Sequence, residues 1–224
     1  MVSFRVPSAL SWQEFFARSP ALVAPELLGW MLGDGVVALR IVETEAYLAL
    51  EDPASHAYGG QTRRNRSMFG PPGCCYIYRS YGIHLCFNVV CHEEGTAGAV
   101  LVRAAEVKEG HSQAALRRGR ASDLANGPGR LGQALGLSLQ LDGACLAPPT
   151  SCEQSPLATT HQAPTWHSRL CLHPPQEPVG KIAKGPRVGI SKAIDLPLRF
   201  WLADSTCLSP GRARSAQGKK RSDD

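Results

Sequence analysis

A chain of 224 residues with 43% apolar content can bury the core of one large domain or two small ones. Its longest apolar run, Ala21 to Leu32, is interrupted by Pro25 and Glu26, so no transmembrane helix is expected. Net charge is +5, of which the stretch from Ser209 to Asp224 carries +3. The body is therefore only mildly basic, and a polyanion would have to meet a local patch rather than the whole surface.

Taken in chain order, Ser11-Trp12-Gln13-Glu14 has the form of a capping box and predicts a short helix. A second helix is expected over 25–31, with Pro25 in its first turn and Gly33 beyond its end. After Gly35, a β-favouring run from Val36 to Val42 continues as a strand through Tyr47. Residues 52–68 read as loop and Pro71-Pro72-Gly73 as a turn. Residues 74–79 and 84–91 form a predicted hairpin joined through 80–83, and 97–107 is a further strand. Helices are expected over 111–118 and 129–135. The segment 139–180 is rich in Pro, Thr, Ser, Gln and Cys and reads as a long loop or poorly ordered insertion. Short strands are expected at 187–190 and 198–202, and a disordered basic tail over 208–224. These elements predict an α+β fold: a single mixed domain over 1–207, with a curved, mainly antiparallel sheet and peripheral helices.

Eight cysteines, at 74, 75, 86, 91, 145, 152, 171 and 207, include no Cys-x-x-Cys pair, so neither a zinc ribbon nor a redox motif is expected. Several lie in apolar, strand-like runs, which points to reduced thiols packed as small hydrophobes and to an intracellular compartment. His84 and Cys91-His92 lack ligand spacing, and no metal site or cofactor is expected.

Chemistry-bearing side chains concentrate between Ile41 and Asn88. Strand alternation puts Glu43, Glu45 and Tyr47 on one face, with the two acids about 6.5–7 Å apart at Cα. The alternative is a solvated outer face of an edge strand, against which Tyr47 and the charge-poor flanks argue. Tyr76 reads as core. Tyr78, together with Tyr47 and His56, could wall a flat, π-rich pocket suited to a planar cationic ring. Tyr81 and Ile83 sit at a hairpin tip, where exposed apolar groups could act as a wedge between bases. Arg63, Arg64 and Arg66 could hold phosphates or form a solvated loop.

These motifs, in the order Val-Glu-Thr-Glu-Ala-Tyr, His56, Arg-Asn-Arg, Tyr-Ile-Tyr, Tyr-Gly-Ile-His and Asn88, closely resemble the alkyladenine (3-methyladenine) DNA glycosylase family. The resemblance continues through Val100 to Ala104, Asn126 to Leu131 and Pro186 to Ile190, ends near Phe200, and covers most of residues 11–203. It implies a monofunctional enzyme that flips alkylated purines (3-methyladenine and 7-methylguanine, with hypoxanthine left open) out of duplex DNA. A water activated by an acid then cleaves the N-glycosidic bond and leaves an abasic site. By position, Glu45 matches the catalytic acid. Arg103 and the backbone carbonyl near Val188 match the groups that position the water. Tyr47, His56 and Tyr78 match the rings around the base, and Asn88 the residue that screens against the guanine amine. Tyr81 matches the wedge, with Ile83 where some members have Met. Arg130 and the basic turn would meet phosphates. The 139–180 segment matches the family poorly. The expected partner is double-stranded DNA, bound by a monomer, with no membrane involved.

Glu43 is the rival acid on the same face, expected to pair with an arginine. No lysine lies in the 41–88 stretch, so no Schiff base with the sugar is expected. Two other readings compete: a carboxylate-pair glycoside hydrolase using Glu43 and Glu45, and a non-catalytic nucleic-acid-binding module on the same scaffold. The first is disfavoured because residues two apart on one strand are awkwardly placed to flank a sugar.

Overall fold

In the computed structural model of the chain, residues 10–92, 96–146 and 170–211 are described. The sheet is organised around β2 (Ala38–Tyr47), a ten-residue strand buried along most of its length. One edge of β2 pairs throughout with β5 (Ala99–Glu109). Its other edge is shared: Met31–Gly33 (β1) pairs with residues 38–40, and Arg199–Leu202 (β8) pairs with residues 43–45. The hand-over coincides with two register shifts against β5, between Ile41 and Glu43 and between Glu43 and Thr44. Such irregularities bend a strand and increase its twist. β2 therefore leaves one neighbour and joins another, and the sheet curls.

Every strand pairing is antiparallel. The order runs β3 (Cys75–Ser80), β4 (His84–Val90), β5, β2, β1 and β6 (Cys171–His173), with β7 (Ile182–Gly185) joined to β8. The helices α1 (Trp12–Phe16), α2 (Pro20–Glu26), α3 (His111–Arg118) and α4 (Pro128–Ala134) lie at the periphery. The expected α+β architecture is thus the observed one.

One face of the sheet carries apolar side chains including Leu39, Ile41, Val42, Val100 and Val102, which cluster with Phe16 of α1, Val23 of α2 and Leu131 of α4. Each such burial stabilises by roughly 1.5–3 kcal/mol before chain entropy is counted. Thr44, fully buried in that strand, donates its hydroxyl to the Ala24 carbonyl at 2.8 Å and so ties β2 to α2. Gly132 lets α4 lie directly on β4, because a Cβ there would stand 2.1 Å from the Leu85 carbonyl oxygen. A smaller apolar cluster, Ala57, Met68, Tyr76, Val90, Ala97 and Ala99, sits under the loop between β2 and β3.

Several expectations need correction. The second helix spans Pro20–Glu26 rather than 25–31: Ser19 caps it and Pro20 fills its first turn. Met31 instead begins β1, where it pairs with Arg40. Residues 187–190 are not a strand, and β7 precedes them. Within 139–180, the described residues include a short 3₁₀ turn at Leu139–Leu141 and the strand β6, so this segment is not all loop. Residues 147–169 of it, and 212–224 of the expected tail, lie outside the described residues. Cys171 is disulfide-bonded, which corrects the expectation of reduced thiols at that position. Among the described residues, no helix is long and apolar enough to cross a membrane.

Candidate active site

The strand register assembles a row of side chains across the sheet. Glu45 on β2 is opposite Leu101 on β5, Leu101 is opposite Asn88 on β4, and Asn88 is opposite Tyr76 on β3. The neighbouring rank holds Tyr78 opposite Cys86. Two residues along their strands come Tyr47 from Glu45 and Arg103 from Leu101. Arg103 falls in the irregular stretch of β5, between the partners of Glu43 and Thr44. A bulge beside a site commonly re-aims a side chain in this way. Tyr47, Tyr76, Tyr78, Cys86, Asn88, Leu101 and Arg103, with His56 from the β2–β3 loop and residues 188–192 from the loop before β8, line a cavity of about 540 Å³. Glu45 is not itself a lining residue: fully buried, it meets the cavity through its partners Tyr47, Arg103 and Val188.

Both acids of β2 are fully buried, which rules out the solvated-face alternative. Glu45 accepts from the Val188 backbone N–H through Oε1 at 2.7 Å. Its Oε2 accepts from Arg103 Nη1 at 3.1 Å and from the Tyr47 hydroxyl at 3.0 Å. Arg103 Nη1 also reaches the Val188 carbonyl at 3.3 Å. Burial alone would favour loss of the arginine's charge, but the Glu45 and Glu43 carboxylates outweigh it and raise its pKa. Burial, then the Glu45 charge, pushes the Tyr47 phenol well up, so it remains a proton donor to Glu45. Glu43 has different company. Arg199 Nε donates to its Oε1 at 2.6 Å, Ser209 N–H to its Oε2 at 2.6 Å, and Arg103 Nε stands 3.2 Å from Oε1. The expected arginine partners are therefore present.

The aromatic walls converge. The His56 and Tyr78 rings meet edge to face at 4.6 Å between centroids, and Tyr76 and Tyr78 lie 5.5 Å apart with a 30° tilt. His56 Nδ1 and the Tyr76 hydroxyl are hydrogen-bonded at 2.8 Å. Tyr76 is buried as expected for core, yet it also lines the cavity. Burial, and secondarily the Arg64 guanidinium, lower the His56 pKa, so the imidazole is neutral near pH 7. Burial pushes the Tyr76 and Tyr78 phenols far above the usual range. Asn88 donates its amide N–H groups to the Tyr76 carbonyl at 2.9 Å and the Cys86 carbonyl at 3.5 Å. Two acceptors fix the amide orientation and leave its oxygen to the cavity.

At the mouth, Tyr81 is 88% exposed and Ile83 68% exposed. Tyr81 adopts φ +48°, a left-handed conformation uncommon for a side-chain-bearing residue, within the tight β3–β4 turn. Arg63, Arg64 and Arg66 are exposed, and Arg64 Nη2 is anchored on the Arg79 carbonyl at 3.0 Å. Arg130 is separate from that turn: its Nη1 donates to Asn126 Oδ1 at 2.7 Å and approaches Asp123 at 3.8 Å. It borders a second cavity of about 350 Å³ that Tyr81, Arg103 and Pro128 share with the first.

Sequence reasoning missed Arg187, Asp52, Ser209 and Lys192. Arg187 is fully buried; its guanidinium carbon stands 4.7 Å from the Tyr47 ring centroid, and Nη1 donates to the Ala46 carbonyl at 2.9 Å. Nothing local in the sequence marks Asp52 or Ser209. Lys192, outside the lysine-free 41–88 stretch, lines the cavity and stands 5.8 Å from the Tyr58 ring. Among the described residues, no group of three or more His, Cys, Asp or Glu is placed to hold a metal ion.

The methylpurine-DNA glycosylase family model matches residues 14–206. A protein of Rhodopseudomonas palustris named "Putative 3-methyladenine DNA glycosylase" is 47% identical over 199 residues, covering 87% of this chain and 85% of its own. One of the same name from Frankia casuarinae is 44% identical over 201 residues, 89% of this chain and 92% of its own. Another from Cutibacterium acnes is 44% identical over 197 residues, 87% of this chain and 97% of its own.

Proposed function

The chain belongs to the methylpurine-DNA glycosylase family, and on that premise we propose that it excises alkylated purines from duplex DNA by direct hydrolysis. The observation that carries this is the buried Glu45 carboxylate, bound by Val188 N–H, Arg103 and the Tyr47 hydroxyl, three residues that line an aromatic-walled cavity. A single purine turned out of the helix would lie among Tyr47, His56 and Tyr78. Alkylation at N3 or N7 makes that purine cationic, and π faces with a neutral histidine suit it. The same cation weakens the bond to the sugar, because the base departs neutral.

Glu45 deprotonates a water held between it, Arg103 and the Val188 carbonyl. The water oxygen bonds to the sugar's anomeric carbon as the bond to the purine nitrogen breaks. The electron pair leaves with the base, and the proton passes to Glu45. The carboxylate also stabilises positive charge developing on the sugar. For a neutral lesion such as hypoxanthine the leaving base must be protonated first. Asn88, with its carbonyl oxygen toward the cavity, repels no cationic ring but crowds the exocyclic amine of a guanine; 7-methylguanine is still excised because its charge weakens the glycosidic bond, whereas ordinary guanine has no such activation. Tyr81 and Ile83 fill the gap in the stack. Arg63, Arg64 and Arg66 on one side and Arg130 on the other contact phosphates. The enzyme acts as a monomer inside the cell.

Glu43 is a poor second acid for a glycoside hydrolase, since its oxygens are taken by Arg199, Arg103 and Ser209. The test is release of free 3-methyladenine and 7-methylguanine from methylated duplex DNA. Glu45→Gln should lose at least about 10³-fold in excision rate, as removal of a base and its charge stabilisation predicts. It should still bind lesion-containing duplex. A dead Glu43→Gln beside an active Glu45→Gln would overturn the assignment.

A further inference from the structure

Arg103 is pinned from two sides, and only one of them belongs to the chemistry described above. Nη1 faces Glu45 and the Val188 carbonyl. Nε faces the other way, donating to Ser209 Oγ at 3.0 Å and lying 3.2 Å from Glu43 Oε1. Ser209 comes from the segment after β8 and is buried, 106 residues from Arg103. Its hydroxyl donates to Glu43 Oε1 at 2.9 Å while accepting from Arg103. Its backbone N–H donates to Glu43 Oε2 at 2.6 Å, and Arg199 Nε fills the remaining side of that carboxylate.

The same segment touches the far side of the reaction centre. A Cβ at Gly211, where φ is +152°, would stand 2.7 Å from the Val188 side chain. Glycine there lets residues 209–211 lie against the loop that supplies both the N–H for Glu45 and the carbonyl for Arg103.

A guanidinium fork pairs best with a carboxylate through two parallel N–H bonds. Glu43 and Glu45 are both within reach of Arg103, so the arginine has two competing carboxylates. With the Ser209 hydroxyl absent, Nε would have Glu43 alone, and a rotation toward two-point pairing with Glu43 would draw Nη1 away from Glu45 and Val188. We propose that Ser209 is a positioning residue for the reaction: its hydroxyl stands between Arg103 and Glu43 and holds the guanidinium in the orientation that serves Glu45. This rests on the glycosylase reading above.

The experiment compares wild type with Ser209→Ala, Ser209→Thr and Ser205→Ala. Ser205 lies in the same segment but donates to Glu106, remote from Arg103, and its variant controls for loosening of the segment. Single-turnover excision of 7-methylguanine should slow about 10–100-fold in Ser209→Ala, the scale of one charge-assisted hydrogen bond. Lesion-duplex affinity should stay within about 3-fold, because Ser209 is not placed against the base. Ser209→Thr, which keeps the hydroxyl, should recover most of the rate, and Ser205→Ala should match wild type. In parallel, side-chain ¹⁵N NMR should show the Arg103 Nε–H resonance at the same position in wild type and Ser205→Ala and shifted in Ser209→Ala, where Nε pairs with Glu43 alone. A folded Ser209→Ala with wild-type rate, or with an unchanged Nε–H, overturns the proposal. If wild type releases no purine, the glycosylase reading fails instead, and the NMR comparison alone then judges the orientation of Arg103.

Discussion

Asp52 and Arg187, 135 residues apart in the chain, form a two-point ion pair with both side chains fully buried. Arg187 Nη1 reaches Asp52 Oδ2 at 2.5 Å, and Nη2 reaches Oδ1 at 2.8 Å. The pair links the loop after β2 to the loop before β8, and Val188, the next residue, binds Glu45. The guanidinium also backs the Tyr47 ring. The floor of the cavity therefore depends on one buried salt bridge.

Breaking this pair from one side leaves an uncompensated charge in the interior. Asp52→Asn should cost about 3–5 kcal/mol in urea or thermal unfolding. Burial alone would raise the Asp52 pKa, but the Arg187 hydrogen bonds and charge, with N–H donors from Ala54 and Leu48, hold it below the usual value. A carboxyl lowered in the folded state stabilises fully above its unfolded value, about 3.9. That contribution disappears as pH falls through the lower folded value. Unfolding measured from pH 7 to pH 2.5 should show wild type losing stability over this acid window more steeply than Asp52→Asn. Parallel curves would contradict the linkage.

Tyr47 combines a ring and a hydroxyl with separable effects. Tyr47→Phe keeps the wall and removes the donor to Glu45. Its excision rate should fall about 10-fold, with lesion affinity nearly unchanged. Tyr47→Leu removes both and should also weaken binding of the cationic base by roughly 0.5–2 kcal/mol. Single-turnover rates and equilibrium binding to a lesion duplex distinguish the two. Equal losses in affinity for both variants would show that the hydroxyl binds rather than catalyses.

His56 makes the cavity sensitive to acid. Burial first, and the Arg64 charge second, keep its pKa below the ordinary value of about 6.5. A histidine lowered in this way is neutral in the folded protein through pH 7, and it destabilises the fold as pH drops from the unfolded value through the folded one. Protonation would also place a second cation beside a cationic purine. kcat/KM for 7-methylguanine excision should decline on the acid side of the ordinary histidine range. In His56→Gln that histidine limb should be missing, whether or not other groups titrate at lower pH.

Tyr81 has no packing role to lose. Tyr81→Ala should leave Tm within a degree or two, since the side chain is 88% exposed. Excision from duplex should slow by about 10-fold or more, whereas a single-stranded substrate, which needs no gap filled, should be affected less. Equal effects on both substrates would remove the wedge role.

Borohydride should trap no covalent complex, because the hydrolysis proposed for Glu45 makes no imine. Lys192 at the cavity edge is the amine to inspect if one is found. Trapping that disappears in Lys192→Met would replace direct hydrolysis with amine chemistry.

The sequence by itself determined the elements whose signals are local. The Ser11–Glu14 capping box, the β3–β4 hairpin and the long strand through Tyr47 all lie where pattern and turn residues put them. Alternation along that strand also placed Glu43, Glu45 and Tyr47 on one face, since side-chain period is a property of the extended backbone alone. Pairing across the chain was not legible. Tertiary structure decided that β2 exchanges β1 for β8 midway, that Arg103 sits in a bulge facing both acids, and that Asp52 meets Arg187. It also brought Ser209 to Glu43 over a separation of 166 residues. A buried charge needs a partner wherever folding can supply one, and nothing within a few residues of Asp52, Glu43 or Arg187 says which distant group that is.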